Sequence, residues 1–371
     1  MEPWPRHKKS EFVDGAGMNL WVLQKRPTGM VEPYELTRLR EEARALDIRF
    51  ETVAPEEIDL IVSRGGRRSI RRCGSEVQLP DVLLPRTGSG TDYFSLAILR
   101  QLEHLGVAVV NPSSAIEAVK DKLYAHQILA QSNLPIPRTM LVRFPVDTKL
   151  VAQQIGFPCV IKLLVGSYGD GVVLSRDPAS FRDLMELVSG LDRSQSLILQ
   201  QYIGTRPGKD LRVWVIGGQV IGAMLRSSTD GSFKANISRG GDGQAFPLNP
   251  ELERLARDSA AALNLDIAGV DLLFDGDGYS ICEVNSAPGF QGFETATGLN
   301  VARLVLEHCR SKVRILPPVL EQGLALAPRH QPPGPELQAL KAHANAPQWS
   351  SGNLASGSGS REVDPISVLS R

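Results

Sequence analysis

The stretch from Gly269 to Glu294 limits what this chain can fold into more than any other. It reads Gly-Val-Asp-Leu-Leu-Phe, then Asp275-Gly276-Asp277-Gly278, then Tyr-Ser-Ile-Cys-Glu-Val-Asn-Ser-Ala-Pro-Gly-Phe-Gln-Gly-Phe-Glu. Two apolar runs around an Asp-Gly tetrapeptide are the composition of a tight hairpin. With residues 276–278 as its loop, Asp271 faces Glu283 across the ladder, and Asn285 lies two residues further on the same face. One reading is a hairpin with a wet polar face. Against it, Asp271 and Glu283 sit inside apolar runs, where an unpaired carboxylate is costly to bury and a cation would remove the cost. Three hard oxygen donors suit magnesium, which takes its other ligands from phosphates and water.

Asp271 followed by Glu283-Val284-Asn285-Ser286-Ala287-Pro288-Gly289 resembles the metal-binding signature of the ATP-grasp ligases, in the branch related to RimK and the N-acetylaspartylglutamate synthases. The likeness runs from about Asn19 to Lys312 in a consistent order of motifs. It implies an α/β chain of α+β lobes: an ATP-grasp fold behind an N-terminal pre-ATP-grasp α/β lobe. It also implies ATP and Mg2+ (or Mn2+), two ions, as cofactors. The expected layout is a leader at 1–17, the pre-ATP-grasp lobe at 18–112, a nucleotide-binding lobe at 113–204, a C-terminal lobe with the metal site at 205–316, and a flexible tail at 317–371.

Acidic and basic residues balance at 41 each, so no global charge draws the chain to nucleic acid or to an acidic membrane. A short basic run, Arg64 to Arg72, reads as an exposed loop. No window approaches the ~20 apolar residues of a membrane span, and the N-terminus lacks the apolar core of a signal peptide. A cytoplasmic protein is expected. Cys73, Cys159, Cys282 and Cys309 form no CxxC and read as reduced thiols.

Along the chain, strands and helices alternate from Met18 to about Pro112. Pro80 to Pro85 is a strand ending in the loop Arg86 to Gly90, where open sheets place ligands. Arg86 is either a contact for an anionic substrate or a solvated loop arginine. Asn111-Pro112-Ser113-Ser114 supplies cap chemistry for a linking helix, with Lys120-Asp121-Lys122 in its body. By resemblance, Lys122 reaches the phosphates. Phe157 to Leu164 is a strand with Lys162 among apolar residues, which calls for an anionic partner.

The loop Gly166-Ser167-Tyr168-Gly169-Asp170-Gly171 follows, and its small residues allow backbone N–H groups to wrap an anion. Alone it is a hairpin or a phosphate loop. Coupled to Lys162 it resembles the phosphate-covering flap of ATP-grasp enzymes. The helical spacing of Phe181, Leu184, Leu187 and Val188 precedes a strand from Leu197 to Ile203 that becomes, by resemblance, the adenine-binding hinge, with main-chain groups near Gln201, Tyr202 and Ile203 reading the ring.

Gly217-Gly218 is a two-residue turn between Val213–Ile216 and Val220–Arg226. Strict alternation sets Arg212 and Arg226 on opposite faces unless a bulge intervenes, near Gly222. Arg226 ranks above Arg212 for substrate contact, and Asp210 is a wall residue of the nucleotide site. The polar segment 227–243 reads as a long functional loop. Its Lys234 and Arg239 are solvated charges or, by resemblance, substrate contacts, with Asn236 beside phosphate or metal; the Ser286 loop positions the acyl group.

The implied activity is ATP-dependent carboxylate–amine ligation, with L-glutamate as the amine. The acceptor carboxylate is a protein C-terminus, as for RimK, or a small acid such as N-acetylaspartate or citrate. A nucleotide-binding regulatory protein without ligase activity, or a ligase for another amino acid, is the alternative. Related enzymes are commonly homo-oligomers.

Overall fold

The computed structural model describes residues 17–26, 32–62, 69–163, 171–191, 196–229, 231–233 and 242–313. The leader at 1–16 and the tail from 317 lie outside them.

The first lobe runs β1 (Asn19–Leu23), α1 (Tyr34–Ala45), β2 (Arg49–Val53), β3 (Ile58–Leu60), β4 (Ile70–Arg72), β5 (Ser75–Glu76), β6 (Val82–Pro85), α2 (Tyr93–His104) and β7 (Ala108–Val109). Its main sheet is parallel, in the order β2-β1-β6-β7. Alternation in β1 sends Leu20 and Val22 into one core with Leu36 and Leu39 of α1, and Trp21 and Leu23 into another with Leu96 and Leu99 of α2. Burial on both faces is usual for parallel strands. Strands β3 to β5 form a separate antiparallel sheet that the sequence pattern did not suggest.

The linker holds a correction. It is two helices, α3 (Ser113–Lys120) and α4 (Lys122–Gln131), not one with Lys-Asp-Lys in its body. Asp121 stands between them in an extended conformation, its carboxylate accepting the N–H groups of Leu123 and Tyr124, so Lys122 opens α4. Nor does Asn111 cap α3: Glu103 of α2 instead accepts from the N–H and hydroxyl of Ser113.

The second lobe holds β8 (Thr139–Val142), α5 (Thr148–Gln154), β9 (Cys159–Leu163), β10 (Val172–Ser175), α6 (Pro178–Leu191) and β11 (Leu197–Gln201), an antiparallel sheet in the order β10-β9-β11-β8. Cys159, Ile161, Leu197 and Leu199 pack beneath α5 and α6. Lys162, Ile198 and Gln200 alternate to the other face. In α6, Phe181 and Met185 are buried while Leu187 is exposed, so the buried stripe runs through Met185 and not through Leu187.

The third lobe holds β12 (Lys209–Ile216), β13 (Gln219–Ser227), β14 (Asp242–Phe246), α7 (Pro250–Ala262), β15 (Ile267–Asp275), β16 (Gly278–Asn285), α8 (Gln291–Thr297) and α9 (Val301–Ser311). The sheet is antiparallel, β14-β13-β12-β15-β16, and β14 takes up the end of the segment expected to be loop. One face, with Leu211, Val213, Val215, Val270 and Leu272, packs on Leu252 and Leu255 of α7. On the other, Trp214, Ile216 and Met224 meet Phe290, Phe293 and α9.

Two bulges set the register. The β15–β16 turn has two residues, Gly276 and Asp277, not three. Asp271 still pairs with Glu283, because Leu272 pairs with Ile281 and Cys282 is extra. In β12–β13 the extra residue is Ile221, between the pairs Trp214–Gly222 and Val215–Val220, one position from the bulge expected at Gly222. It brings Arg226 opposite Asp210 and turns it to the same face as Arg212.

Asn111 ties the lobes together. Buried, its amide donates to the carbonyls of Ile267 and Ser286, both at 2.8 Å, and its Oδ1 accepts from the Ile267 N–H at 2.7 Å. Asn111→Ala strands three backbone groups, so it should lower unfolding free energy by about 3 kcal/mol, read as a shifted urea midpoint at unchanged slope.

Candidate active site

Because of the bulge at Ile221, Asp210, Arg212, Arg226 and Asp271 share one face of the five-stranded sheet. Arg212 grips Asp271 with both arms of its guanidinium, Nε to Oδ1 at 2.8 Å and Nη2 to Oδ2 at 2.7 Å. Arg226 does the same to Asp210 at 2.6 and 2.8 Å, and its Nη2 also stands 3.2 Å from Asp271 Oδ2. Arg226 and Asp271 are 3% and 5% exposed, so this is a buried ionic ring whose charges cancel. Burial alone would raise Asp271, but the guanidiniums of Arg212 and Arg226 outweigh it and hold the carboxyl below the usual range. Burial likewise opposes the charge on Arg226, and Asp271 and Asp210 more than restore it.

Glu283 stands opposite Asp271, and Asn285, opposite Gly269, sends its amide nitrogen to Asp271 Oδ2 at 3.3 Å. Gly269 admits this arrangement: a Cβ there would sit 2.7 Å from Pro288 in the loop that follows β16. The first lobe holds that loop at alternate positions. Asn111 takes the Ser286 carbonyl, Arg86 donates to the Pro288 carbonyl at 2.9 Å, and Glu35 accepts the Phe290 N–H at 3.0 Å. Arg86 also lies over the Phe290 ring, 5.7 Å from its centroid, and so it is no solvated loop arginine.

A cleft opens beside Glu283, lined by Lys122, Lys162, Ile198, Gln200, His126 and Val284 among others. Two cations and one carboxylate thus converge on a cavity with apolar walls. Lys162 Nζ is 3.8 Å from Cys282 Sγ; burial raises that thiol, against the pull of Lys162. At the expected hinge, the Gln201 N–H is already taken by the Arg138 carbonyl at 2.8 Å, and the Tyr202 ring meets Phe233 edge-on. Gly166, Ser167, Tyr168, Gly169, Lys234, Asn236 and Arg239 lie outside the described residues; Gly171 is described, at φ +69°.

Among the described residues, no three His, Cys, Asp or Glu side chains are arranged to hold a metal. Asp271, Glu283 and Asn285 stand side by side on neighbouring strands and carry oxygens of the kind a hard cation takes together with phosphate and water.

His126 escaped the sequence reading. Its Nδ1 is 3.1 Å from the Thr139 hydroxyl, and its Nε2 is 3.1 Å from the Cys282 carbonyl. Its place four residues after Lys122, on the same face of one helix, was the available signal.

Residues 119–309 match the family described as RimK-like ATP-grasp domain, and residues 18–116 match the RimK PreATP-grasp domain. A protein of Shewanella frigidimarina named "Probable alpha-L-glutamate ligase 1" is 35% identical over 282 residues, covering 76% of this chain and 93% of its own. A "Probable alpha-L-glutamate ligase" of Trichodesmium erythraeum is 39% identical over 228 residues, 61% of this chain and 76% of its own. The solved structure of ATP-grasp ligase PsnB complexed with a phosphomimetic variant of minimal precursor, Mg and ADP superposes with a TM-score of 0.62 at 20% identity, covering 79% of this chain and 98% of that one, a likeness of fold.

Two outcomes test the geometry. Arg226→Met leaves Asp210 buried without its partner and should cost about 3–5 kcal/mol in denaturant unfolding, much of it recovered in Arg226→Met/Asp210→Leu. His126 is pushed down to about 4, chiefly by burial, with Lys162 adding to the effect. Above pH 6.5 the imidazole is neutral folded or unfolded. As pH falls from 6.5 to 4 the unfolded chain takes up the proton first, and the native state loses up to about 3 kcal/mol. Urea midpoints between pH 7 and 4.5 should fall more steeply for wild type than for His126→Gln, in which the other titrations cancel.

With both halves of the signature placed on one framework, the chain belongs to the RimK-like ATP-grasp family and is an ATP-dependent ligase.

Proposed function

We propose that this ligase joins L-glutamate through its amine to an acceptor carboxylate. The observation that carries the reading is the convergence of Lys122, Lys162 and Glu283 on one cleft, with Asp271 paired to Glu283 across the ladder and Asn285 bonded to Asp271. The names of the relatives supply the amino acid.

A carboxylate oxygen is a poor leaving group, so the acceptor is first activated: it takes the γ-phosphoryl of ATP as ADP departs. The glutamate amine then attacks the acyl carbon, phosphate leaves, and the amine proton is lost to solvent. Phosphoryl transfer is chiefly positioning and electrostatic stabilisation, so no nucleophilic side chain is needed.

In this assignment Lys122 and Lys162 neutralise phosphate charge, and the adenine lies on Ile198 and Val284. Gly166 to Gly171 covers the phosphates, and Gln201 to Ile203 with Asp210 complete the nucleotide site. Asp271, Glu283 and Asn285 would hold magnesium or manganese, as two ions, which would supply positive charge against that of the phosphates. Asn285 would turn its amide oxygen toward the cation. Arg226, Arg239 and Asn236 face the developing charge, while Arg86, Arg212, Lys234 and Ser286 orient the acceptor and amine. The lobes at 113–204 and 205–316 close on each other, the lobe at 18–112 supports the acceptor side, and the enzyme works in the cytoplasm as a homo-oligomer.

The test is isotope-labelled L-glutamate, ATP and magnesium with the enzyme, washed ribosomes and a metabolite mixture containing N-acetylaspartate and citrate. Label in a protein tail or in a small amide, with one ADP per amide, is the expected result and names the acceptor. Glu283→Gln should lower that turnover about 100-fold or more. ADP release that follows another amino acid and ignores glutamate would overturn the assignment.

A further inference from the structure

β16 is the edge strand of its sheet, and a bulge at Cys282 leaves backbone groups outside the β15 ladder. Two contacts from the α4 side occupy that edge. The Ile281 N–H donates to the Pro135 carbonyl at 2.8 Å, and His126 Nε2 donates to the Cys282 carbonyl at 3.1 Å. A carbonyl only accepts, so the imidazole proton is on Nε2 and Nδ1 keeps its lone pair. Nδ1 faces the Thr139 hydroxyl at 3.1 Å, whose single proton is shared between Nδ1 and the Pro137 carbonyl at 2.9 Å, and the Gln200 amide nitrogen at 3.4 Å; Gln200 donates to the same hydroxyl at 3.1 Å. Burial keeps the ring neutral near pH 7.

The parts of this chain come from different places. Thr139 and Gln200 belong to the four-stranded sheet, His126 to α4, and Cys282 to the five-stranded sheet one residue before Glu283. Bulges commonly re-aim the side chain beside them, and this one needs an outside partner to hold its peptide plane.

We propose that His126 is a positioning residue for Glu283: by holding the bulged Cys282 carbonyl it fixes the direction in which Glu283 meets a divalent cation, and through Thr139 and Gln200 it makes that direction depend on the nucleotide-side sheet. The inference rests on Glu283 being a metal ligand. His126 bonds the Cys282 carbonyl and not the Glu283 carboxylate, so it acts on Glu283 through the backbone. Groups behind a metal ligand commonly control affinity through orientation alone.

The probe is Mn2+ binding to the full chain with a non-hydrolysable ATP analogue, read by electron paramagnetic resonance without turnover. His126→Met fills the space without a donor and should raise the Mn2+ Kd about 10–100-fold. His126→Gln, whose amide nitrogen reaches the position of Nε2, should return it to within about threefold of wild type. Analogue binding without metal is measured alongside, and an Mn2+ loss no larger than the loss of analogue binding overturns the inference. Wild-type affinity in His126→Met, or equal losses in the Met and Gln variants, overturns the inference. If His126→Met does not fold, Thr139→Val decides: a severalfold weakening is expected, and no change overturns it. Glu283→Gln separates the two readings. Unchanged Mn2+ binding there removes Glu283 as a ligand and this inference with it, whereas lost binding there beside wild-type affinity in His126→Met removes the role of His126 alone.

Discussion

The paired grip of Arg212 and Arg226 on Asp271 is the constraint that the third lobe is built to satisfy. A carboxylate this buried is tolerable only if its charge is matched and its oxygens are bonded, and both conditions hold here because two guanidiniums and a second carboxylate close the ring. Closure demands that three neighbouring strands present alternate residues to one face. Neither hairpin turn does this by itself. The extra residue Ile221 shifts β13 by one position, and without it Arg226 would point into the core beneath α7; Cys282 does the same for Glu283, which lies outside the ring but opposite Asp271.

The same ring governs what a cation would encounter. Asp271 is already neutralised by guanidinium, so a metal there must share the carboxylate with Arg212 and Arg226 or displace one of them, whereas Glu283 faces the cleft with its lysines. Binding would then redistribute two positive charges beside the reacting phosphate without bringing any new residue into the site. A site preorganised in this way needs little rearrangement when charge develops, which is where electrostatic catalysis gains most.

Much of this could be read in the sequence, for identifiable reasons. The pairing of Asp271 with Glu283 was legible because both interrupt apolar runs, and the starts of α1 and α7 because proline and asparagine mark helix ends. The bulge in β13 was legible to within one residue, through Gly222 and the need to bring Arg226 and Arg212 to one face, whereas that at Cys282 was not, since one extra residue leaves no compositional trace. The two-residue turn and Cys282 together reproduce the pairing that a three-residue loop would give. Asp121 misled for a related reason: Lys-Asp-Lys suits a helix body as well as a cap, and only the extended backbone at Asp121 decides. His126 and Asn111 hold backbone groups 156 residues away, and no local pattern encodes that distance.

Those long-range contacts explain why the first lobe is part of the site and not a separate attachment. The loop after Asn285 carries Ser286, Pro288 and Phe290 on its alternate residues, and the first lobe and its linker hold each through a different group: the Asn111 amide, the Arg86 guanidinium and the Glu35 carboxylate. A loop pinned at three alternating backbone positions has little freedom left, so the direction in which it leaves the metal ligands is set by residues more than 150 positions earlier. Tyr34 and Arg38 reinforce this by bonding Glu294 at the start of α8. The loop therefore inherits its shape from α1 and the end of β6, and if the acceptor is bound beside it as proposed, a change of acceptor would be made there, by altering the groups that hold the loop, while Asp271, Glu283 and the arginines around them stay as they are.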